Sequence, residues 1–263
     1  MPGRFRPIVS PELAVLLAVI ALFAGIGITA IGPGGVFVTI ALFALAPLSS
    51  PEVAGTASAT FVATGLLGSL VYFQSGEFAQ GHAREIAIVL SATSVLGALA
   101  GSRLNFLLPE AVFGYLLSAF VATVGVVIVY RERVGLKPSN RIDAVPAQQR
   151  RIMIGTIGLG VGVLGGLLGV GGPVVAVPVL VMLGVPMLVA VAVAQVQSIF
   201  ISAFAAASYA TAGAVSVPVA LLVGVPQLIG VVAGWKVAHL VDPGRLRVVL
   251  GIVLIVVAPT LLL

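Results

Sequence analysis

Apolar runs follow one another along almost the whole chain, and no water-soluble fold could cover them. They occupy roughly residues 11–31, 36–47, 51–74, 84–104 and 109–130, then 151–170, 173–185, 187–211, 216–240 and 244–263. A run of about 20 residues crosses a bilayer as a helix. Only 8% of the 263 residues are charged, where a soluble domain carries about 25%. The bilayer is therefore the solvent for most of the chain, and helices are the form in which such runs satisfy their own backbone. The runs at 36–47 and 173–185 are too short to cross comfortably and read as half-helices or re-entrant arms. The expected fold is an all-α polytopic membrane protein of about eight full transmembrane helices plus two short broken or re-entrant arms.

One hydrophilic stretch interrupts the pattern. It carries Arg131, Arg133, Lys137, Arg141, Arg150 and Arg151 against Glu132 and Asp143, and the positive-inside rule places it in the cytoplasm. It divides the chain into repeat 1 (residues 1–130), a cytoplasmic basic linker (131–150) and repeat 2 (151–263). A shift of 137 residues superimposes the halves: Gly25 meets Gly162, Gly32 meets Gly169, Gly34-Gly35 meets Gly171-Gly172, Ala57 meets Ala194, Tyr72 meets Tyr209, Gly76 meets Gly213 and Gly97 meets Gly234. Two aligned tyrosines, out of four in the chain, are hard to ascribe to a glycine-rich composition. If the short arms do not cross, each repeat has four crossings and the repeats are parallel; if they cross, each has five and the repeats are inverted. Arg4 and Arg6 agree with a cytoplasmic start and so with four. The run from Leu13 to Ile31 is longer than a signal-peptide core and its end recurs later, so it is expected to be mature protein.

Composition excludes several activities. With no cysteine, disulfides, thiolate metal sites and cysteine nucleophiles are ruled out. The two histidines, His82 and His239, sit near the ends of apolar runs, so no metal site and no cofactor is expected. The net charge of +5 gathers at segment ends and in the linker, a topogenic pattern rather than a nucleic-acid footprint. No acid falls in the middle of a run, which argues against a cation substrate and against a proton relay through the chain's own carboxylates. Transport would then be driven by the substrate gradient and membrane potential, or the substrate would carry the proton itself. An enzyme is not expected, because no catalytic constellation can be assembled.

Two motifs carry chemistry. Gly32-Pro33-Gly34-Gly35 and Gly169-Val170-Gly171-Gly172-Pro173 should each end one helix and start another within the membrane, since glycine admits non-helical φ and proline lacks a donor. A helix beginning at depth directs free N–H groups and the positive end of its dipole at whatever lies before it, a natural anion site. The helix after each short arm then presents polar residues: Thr56, Ser58 and Thr60 in the first repeat, Gln195, Gln197 and Ser198 in the second. The glutamine amides could donate to an oxyanion without adding charge, or serve as interhelical glue; Ser and Thr can also bond back to their own helix. Tyr72 and Tyr209 read as an interfacial aromatic belt, and Arg103 and Lys236 as snorkelling cations. The candidate substrate site is thus Gly34, Gly35, Thr56, Ser58, Gly171, Gly172, Gln195, Gln197 and Ser198.

The repeated Gly-x-Gly-Gly break, the short arm and the Ala-rich helix ending in Tyr-x-x-x-Gly resemble the TauE/SafE family of sulfite and organosulfonate exporters over residues 13–263. The resemblance implies a duplicated domain of about eight helices in a bacterial or archaeal plasma membrane, exporting a small anion. The family's Gly-Gly turns correspond to Gly34-Gly35 and Gly171-Gly172. Its later proline corresponds to Pro178, with Ala41 as a departure in repeat 1. Its Thr-Ser pair resembles Thr56-Ala57, while repeat 2 has Val193-Ala194 followed by Gln195. The expected partners are a small anion and membrane lipid, with self-association left open and nucleic acid excluded. An anion channel or nonspecific pore is the alternative function.

Overall fold

The computed structural model describes residues 10–79, 81–134, 142, 145–240 and 243–262. Ten α-helices account for nearly all of them: α1 (Pro11–Ala30), α2 (Val36–Leu45), α3 (Ser50–Gln74), α4 (Ala83–Asn105) and α5 (Glu110–Val134), then α6 (Ala147–Leu168), α7 (Pro173–Met182), α8 (Met187–Thr211), α9 (Val217–Leu240) and α10 (Pro243–Val257). Seven are long and apolar enough to cross a membrane. An eighth, α10, is extended by a 3-10 turn over Ala258–Leu262. The arms α2 and α7 have 10 residues each, about 15 Å of helix against a hydrocarbon core of about 30 Å. The protein is an all-α polytopic membrane protein. The basic stretch is shorter than its charges suggest: Arg131 and Arg133 still belong to α5, and Arg150 and Arg151 to α6. Arg4, Arg6, Lys137, Arg141, Asp143 and the side chain of His239 lie outside the described residues.

Local chemistry sets the helix starts. Ser10 accepts the Leu13 N–H ahead of α1. Before α3, Ser49 and Glu52 form a capping box with Pro51 in the first turn, so Glu52 is a helix-start residue.

The repeat is visible in the helix bounds. Val36–Leu45 and Ser50–Gln74 recur 137 residues later as Pro173–Met182 and Met187–Thr211. The halves are not side by side. The main pairings join α1 to α9, α4 to both α6 and α8, α3 to α8 and α5 to α10, so the first helix of each half packs on the fourth helix of the other.

Glycine makes these pairings close. A methyl group at Gly97 would lie 2.2 Å from the Leu159 carbonyl oxygen, one at Gly162 2.2 Å from that of Ser94, and one at Gly166 2.3 Å from that of Ala98. The α1–α9 contact repeats this, with Gly25 2.1 Å from the Gln227 oxygen and Gly230 2.1 Å from the Leu22 oxygen. Backbone meets backbone, as small residues permit in membrane helices. The same contacts correct the register. Gly97 and Gly230 face equivalent carbonyls, as do Gly101 and Gly234, whose partners are Val163 and Ile26. The fourth helices therefore correspond at a spacing of 133, and the Gly97–Gly234 match at 137 is accidental. The turn before α9 lacks a counterpart of the 3-10 turn Glu77–Ala79, which accounts for the lost residues.

Contact order along each pair fixes direction. Down α3, Gly55 meets Tyr209, Gly65 meets Ile199 and Gly68 meets Gln195, so α3 and α8 are antiparallel. The fifth helices are antiparallel too, with Gly125 against Gly251 and the Ser118 hydroxyl donating to the Ala258 carbonyl. Equivalent helices run oppositely, so the repeats are inverted. Because α9 runs parallel to both α1 (Gly25 to Gln227, Ile26 to Gly234) and α3 (Thr56 to Ser216, Thr60 to Gly224), α1 and α3 share a direction and α2 carries the chain back between them. Each half thus has five legs, and the start of α1 and the linker lie at opposite ends of the bundle. This corrects the parallel arrangement expected from Arg4 and Arg6, while the long helices and the two short arms stand as expected.

Gly162→Leu is expected to cost about 3 kcal/mol or prevent folding, because neither backbone can yield. Gly160, which has nothing within 4 Å of an added methyl, should accept leucine without loss. Thermal unfolding in detergent compares the two.

Candidate substrate site between the helix breaks

Ending α1 and α6 inside the bundle leaves carbonyls that need donors. In α1 the Thr29 carbonyl would normally accept from residue 33, which is proline and has no N–H. The Tyr72 hydroxyl donates to it at 2.5 Å, and Gln195 Nε2 donates to the neighbouring Ile28 carbonyl at 3.2 Å. At the end of α6, Tyr209 donates to the Gly166 carbonyl at 2.8 Å, Asn105 to Leu167 at 2.6 Å and Thr39 to Gly169 at 2.5 Å. Tyr72 and Tyr209 are fully buried and serve equivalent carbonyls. They are locks on the broken helices, and the aromatic-belt reading is wrong for both. The sequence signal was the aligned pair itself.

The turns depend on glycine at matched positions. Gly32 has φ +100° and Gly169 φ +64°, conformations that side chains rarely adopt. Each is pressed against the other half: a methyl at Gly32 would lie 2.8 Å from Val177, and one at Gly169 2.4 Å from Ala54.

Between the breaks, level with the middle of α3, lies a cavity lined by Gly35, Phe61, Thr64, Gly171, Pro173 and Ser198, among others. Its free volume is about 10 Å³, room for one water. The described form is therefore closed around its centre. No charged side chain lines it.

The expected site residues divide around this cavity. Gly35, Gly171 and Ser198 line it. Gly172 lies directly behind, where an added methyl would be 3.2 Å from Gln197 Oε1. Gln197 is fully buried, and neither its Nε2 nor its Oε1 has a partner. Gln195 is half engaged: Nε2 caps α1 while Oε1 is buried without a partner. Gly34 is a packing residue, since a methyl there would lie 2.3 Å from the Gly27 backbone across the α1–α2 reversal. Thr56 is at a distance, accepting the Ser216 N–H ahead of α9 at 3.0 Å. Ser58 is buried on α3 and does not line the cavity. Thr60 bonds back to the Ala57 carbonyl. Phe61 and Thr64, one turn further on, are the α3 residues that do line it. Sequence reasoning missed both, Phe61 because an apolar wall looks like core and Thr64 because it lay outside the polar cluster.

Arg103 and Lys236 are exposed and absent from the cavity wall. Among the described residues, no group of His, Asp and Glu could hold a metal ion. Glu77 is buried, in the 3-10 turn after α3 rather than along a spanning helix.

A family model described as "Sulfite exporter TauE/SafE" matches residues 12–261. The chain belongs to the TauE/SafE family. That membership implies membrane transport of sulfite-type anions. No curated protein and no solved structure matches the chain.

Removing the Tyr209 hydroxyl (Tyr209→Phe) should keep the ring's packing on Phe106, at 5.4 Å between centroids, but orphan the Gly166 carbonyl. The expected loss is about 1–3 kcal/mol, read as a lower unfolding midpoint in detergent.

Proposed function

We propose that this protein exports a small oxyanion, sulfite or an organosulfonate, bound between the Gly32–Gly35 and Gly169–Gly172 breaks. The observation that carries the reading is Gln197: a fully buried amide with both polar atoms unpartnered, set against the glycine that starts α7. Leaving such a group unpaired costs about 1–3 kcal/mol. A ligand oxygen would accept from Nε2, Oε1 would accept from a protonated form of the anion, and the Val174 N–H would complete the cradle, since Pro173 has no N–H and Val175 and Ala176 already donate to the Gly172 carbonyl. Inverted repeats supply alternation: if the halves exchange conformations, the cavity that opens to one side opens to the other. The closed cavity is then the contracted stage between the two openings, too small to hold the anion.

The linker end is the cytoplasmic end. Among the described residues it carries Arg84, Arg131, Arg133, Arg150, Arg151, Lys236 and Arg247 with Glu77, Glu85 and Glu132, while the opposite end has Arg103 with Glu12, Glu52 and Glu110. This asymmetry is the positive-inside pattern. The residues at that end are also tied together: Glu85 bridges Arg150 at 2.8 Å and Arg151 at 2.7 Å, and Arg247 pairs with Glu132. The plasma membrane is the expected location.

Purified protein in liposomes should give saturable sulfite or organosulfonate flux. Flux that never saturates and shows unitary currents would assign a pore instead, and no flux of sulfite, sulfonates or chloride would end the reading. Gln197→Leu should lower flux at least tenfold while leaving the unfolding midpoint equal or higher, since it removes two unsatisfied atoms. Orientation has its own test. The chain has no native cysteine, so a cysteine placed at Gln148 should react with impermeant thiol reagents only from the cytoplasmic side, and one at Leu107 only from outside.

A further inference from the structure

A second glutamine has the same signature as Gln197, and no sequence motif pointed to it. Gln227 on α9 is fully buried, and neither amide atom has a partner among the described residues. It belongs to a buried stripe with Val219, Val223 and Val231, opposite the exposed Leu221, Val225 and Ile229. On either side of it, Gly224 packs against Thr60 of α3, and Gly230 against Leu22 of α1. Gln227 thus stands in the seam where α9 meets both helices. Its backbone oxygen faces Gly25, one turn before Ile28 of the cavity wall, and Thr64 of that wall lies one turn past Thr60. Pro226 sits immediately before it within α9 and withholds one helical hydrogen bond at this level.

The inverted repeat gives the placement meaning. The α3 counterpart of Gln197, at the 137 spacing, is Thr60. The α4 counterpart of Gln227, at the 133 spacing set by Gly97 and Gly230, is Ser94. The helices that pack beside the two broken helices thus each carry one amide and one hydroxyl residue: Thr60 of α3 and Gln227 of α9 beside α1, Gln197 of α8 and Ser94 of α4 beside α6. The amide occurs once per break, but on opposite members of the helix pair. Packing alone gives no reason to keep a buried amide without partners when leucine or methionine would fill the space.

We propose that Gln227 is the second amide ligand of the transported oxyanion, serving the Gly32–Gly35 break as Gln197 serves the Gly169–Gly172 break. The inference rests on the transport reading. Substrate then lies between two neutral donors on opposite sides of the pseudo-two-fold, and its hold passes from one half to the other as the halves exchange conformations.

The test is sulfite flux into liposomes by wild type, Gln227→Leu and Gln227→Met, with detergent unfolding midpoints measured with and without sulfite. Both variants should fold with a midpoint equal to or above wild type. Both should raise the sulfite KM roughly tenfold, the loss of one hydrogen bond to a charged group, and the midpoint rise produced by sulfite should shrink. If wild type shows no saturable flux of sulfite or an organosulfonate, the transport reading fails and the Gln227 assignment falls with it. If wild type transports and either folded variant keeps the wild-type KM and the full sulfite-induced shift, the transport reading stands and Gln227 is not a ligand. If neither variant folds, Gln227 is a packing residue and the inference is wrong.

Discussion

Everything in this fold answers to one constraint: two helices end inside the bundle, and their last carbonyls cannot be left to lipid. The donors come from elsewhere in the structure. Ile28 is served by Gln195 and Thr29 by Tyr72; Gly166, Leu167 and Gly169 are served by Tyr209, Asn105 and Thr39. Three of these bonds cross between the halves, because Gln195 lies in the second repeat and Thr39 and Asn105 in the first. Neither break can be formed by its own repeat alone. The walls of the cavity are therefore shared between the halves.

The swapped helix pairs make that sharing unavoidable. Glycines bring α1 to backbone contact with α9, and α6 with α4, so the first helix of each repeat is held by the other repeat. The two tyrosines then anchor those same first helices from α3 and α8. The central pair, α3 and α8, runs antiparallel along the pseudo-two-fold and supplies Phe61, Thr64 and Ser198 to the cavity. The exposed faces carry Leu, Val, Ile and Phe, including Phe23, Leu70, Ile88 and Leu221, which suits a bundle solvated by lipid. Polar side chains turn inward, towards carbonyls or towards the cavity. Gln197 and Gln227 are the two amides for which, among the described residues, neither polar atom has a partner.

Much of this was legible in the sequence. The ten segments emerge close to their helices, and the short arms and broken turns fall where glycine and proline place them, because these features are local: run length, φ freedom and a missing N–H are properties of the residues themselves. The site was legible only in part. Gly35, Gly171 and Ser198 line the cavity and Gln197 stands behind it, as the break and polar-cluster argument anticipates. Thr56 and Gly34 have other work, one accepting the Ser216 N–H and the other packing at a chain reversal. A residue type near a break shows what a side chain can do, but its rotation about the helix and its neighbours decide what it does. Gln227 was invisible for the same reason: it is 55 residues beyond the second break, and only packing sets it in the seam of α9 with α1 and α3.

By itself, the sequence determined that the chain is a helical membrane protein, that it is duplicated and that each copy is broken by a glycine-rich turn, because hydropathy and backbone freedom are written residue by residue. The tertiary structure decided that the copies are inverted, that their first and fourth helices are exchanged and that the true register slips from 137 to 133 after the third helix. Direction and register are relations between distant segments, fixed by which backbones can approach to within a glycine's reach. No reading along one strand of text contains them.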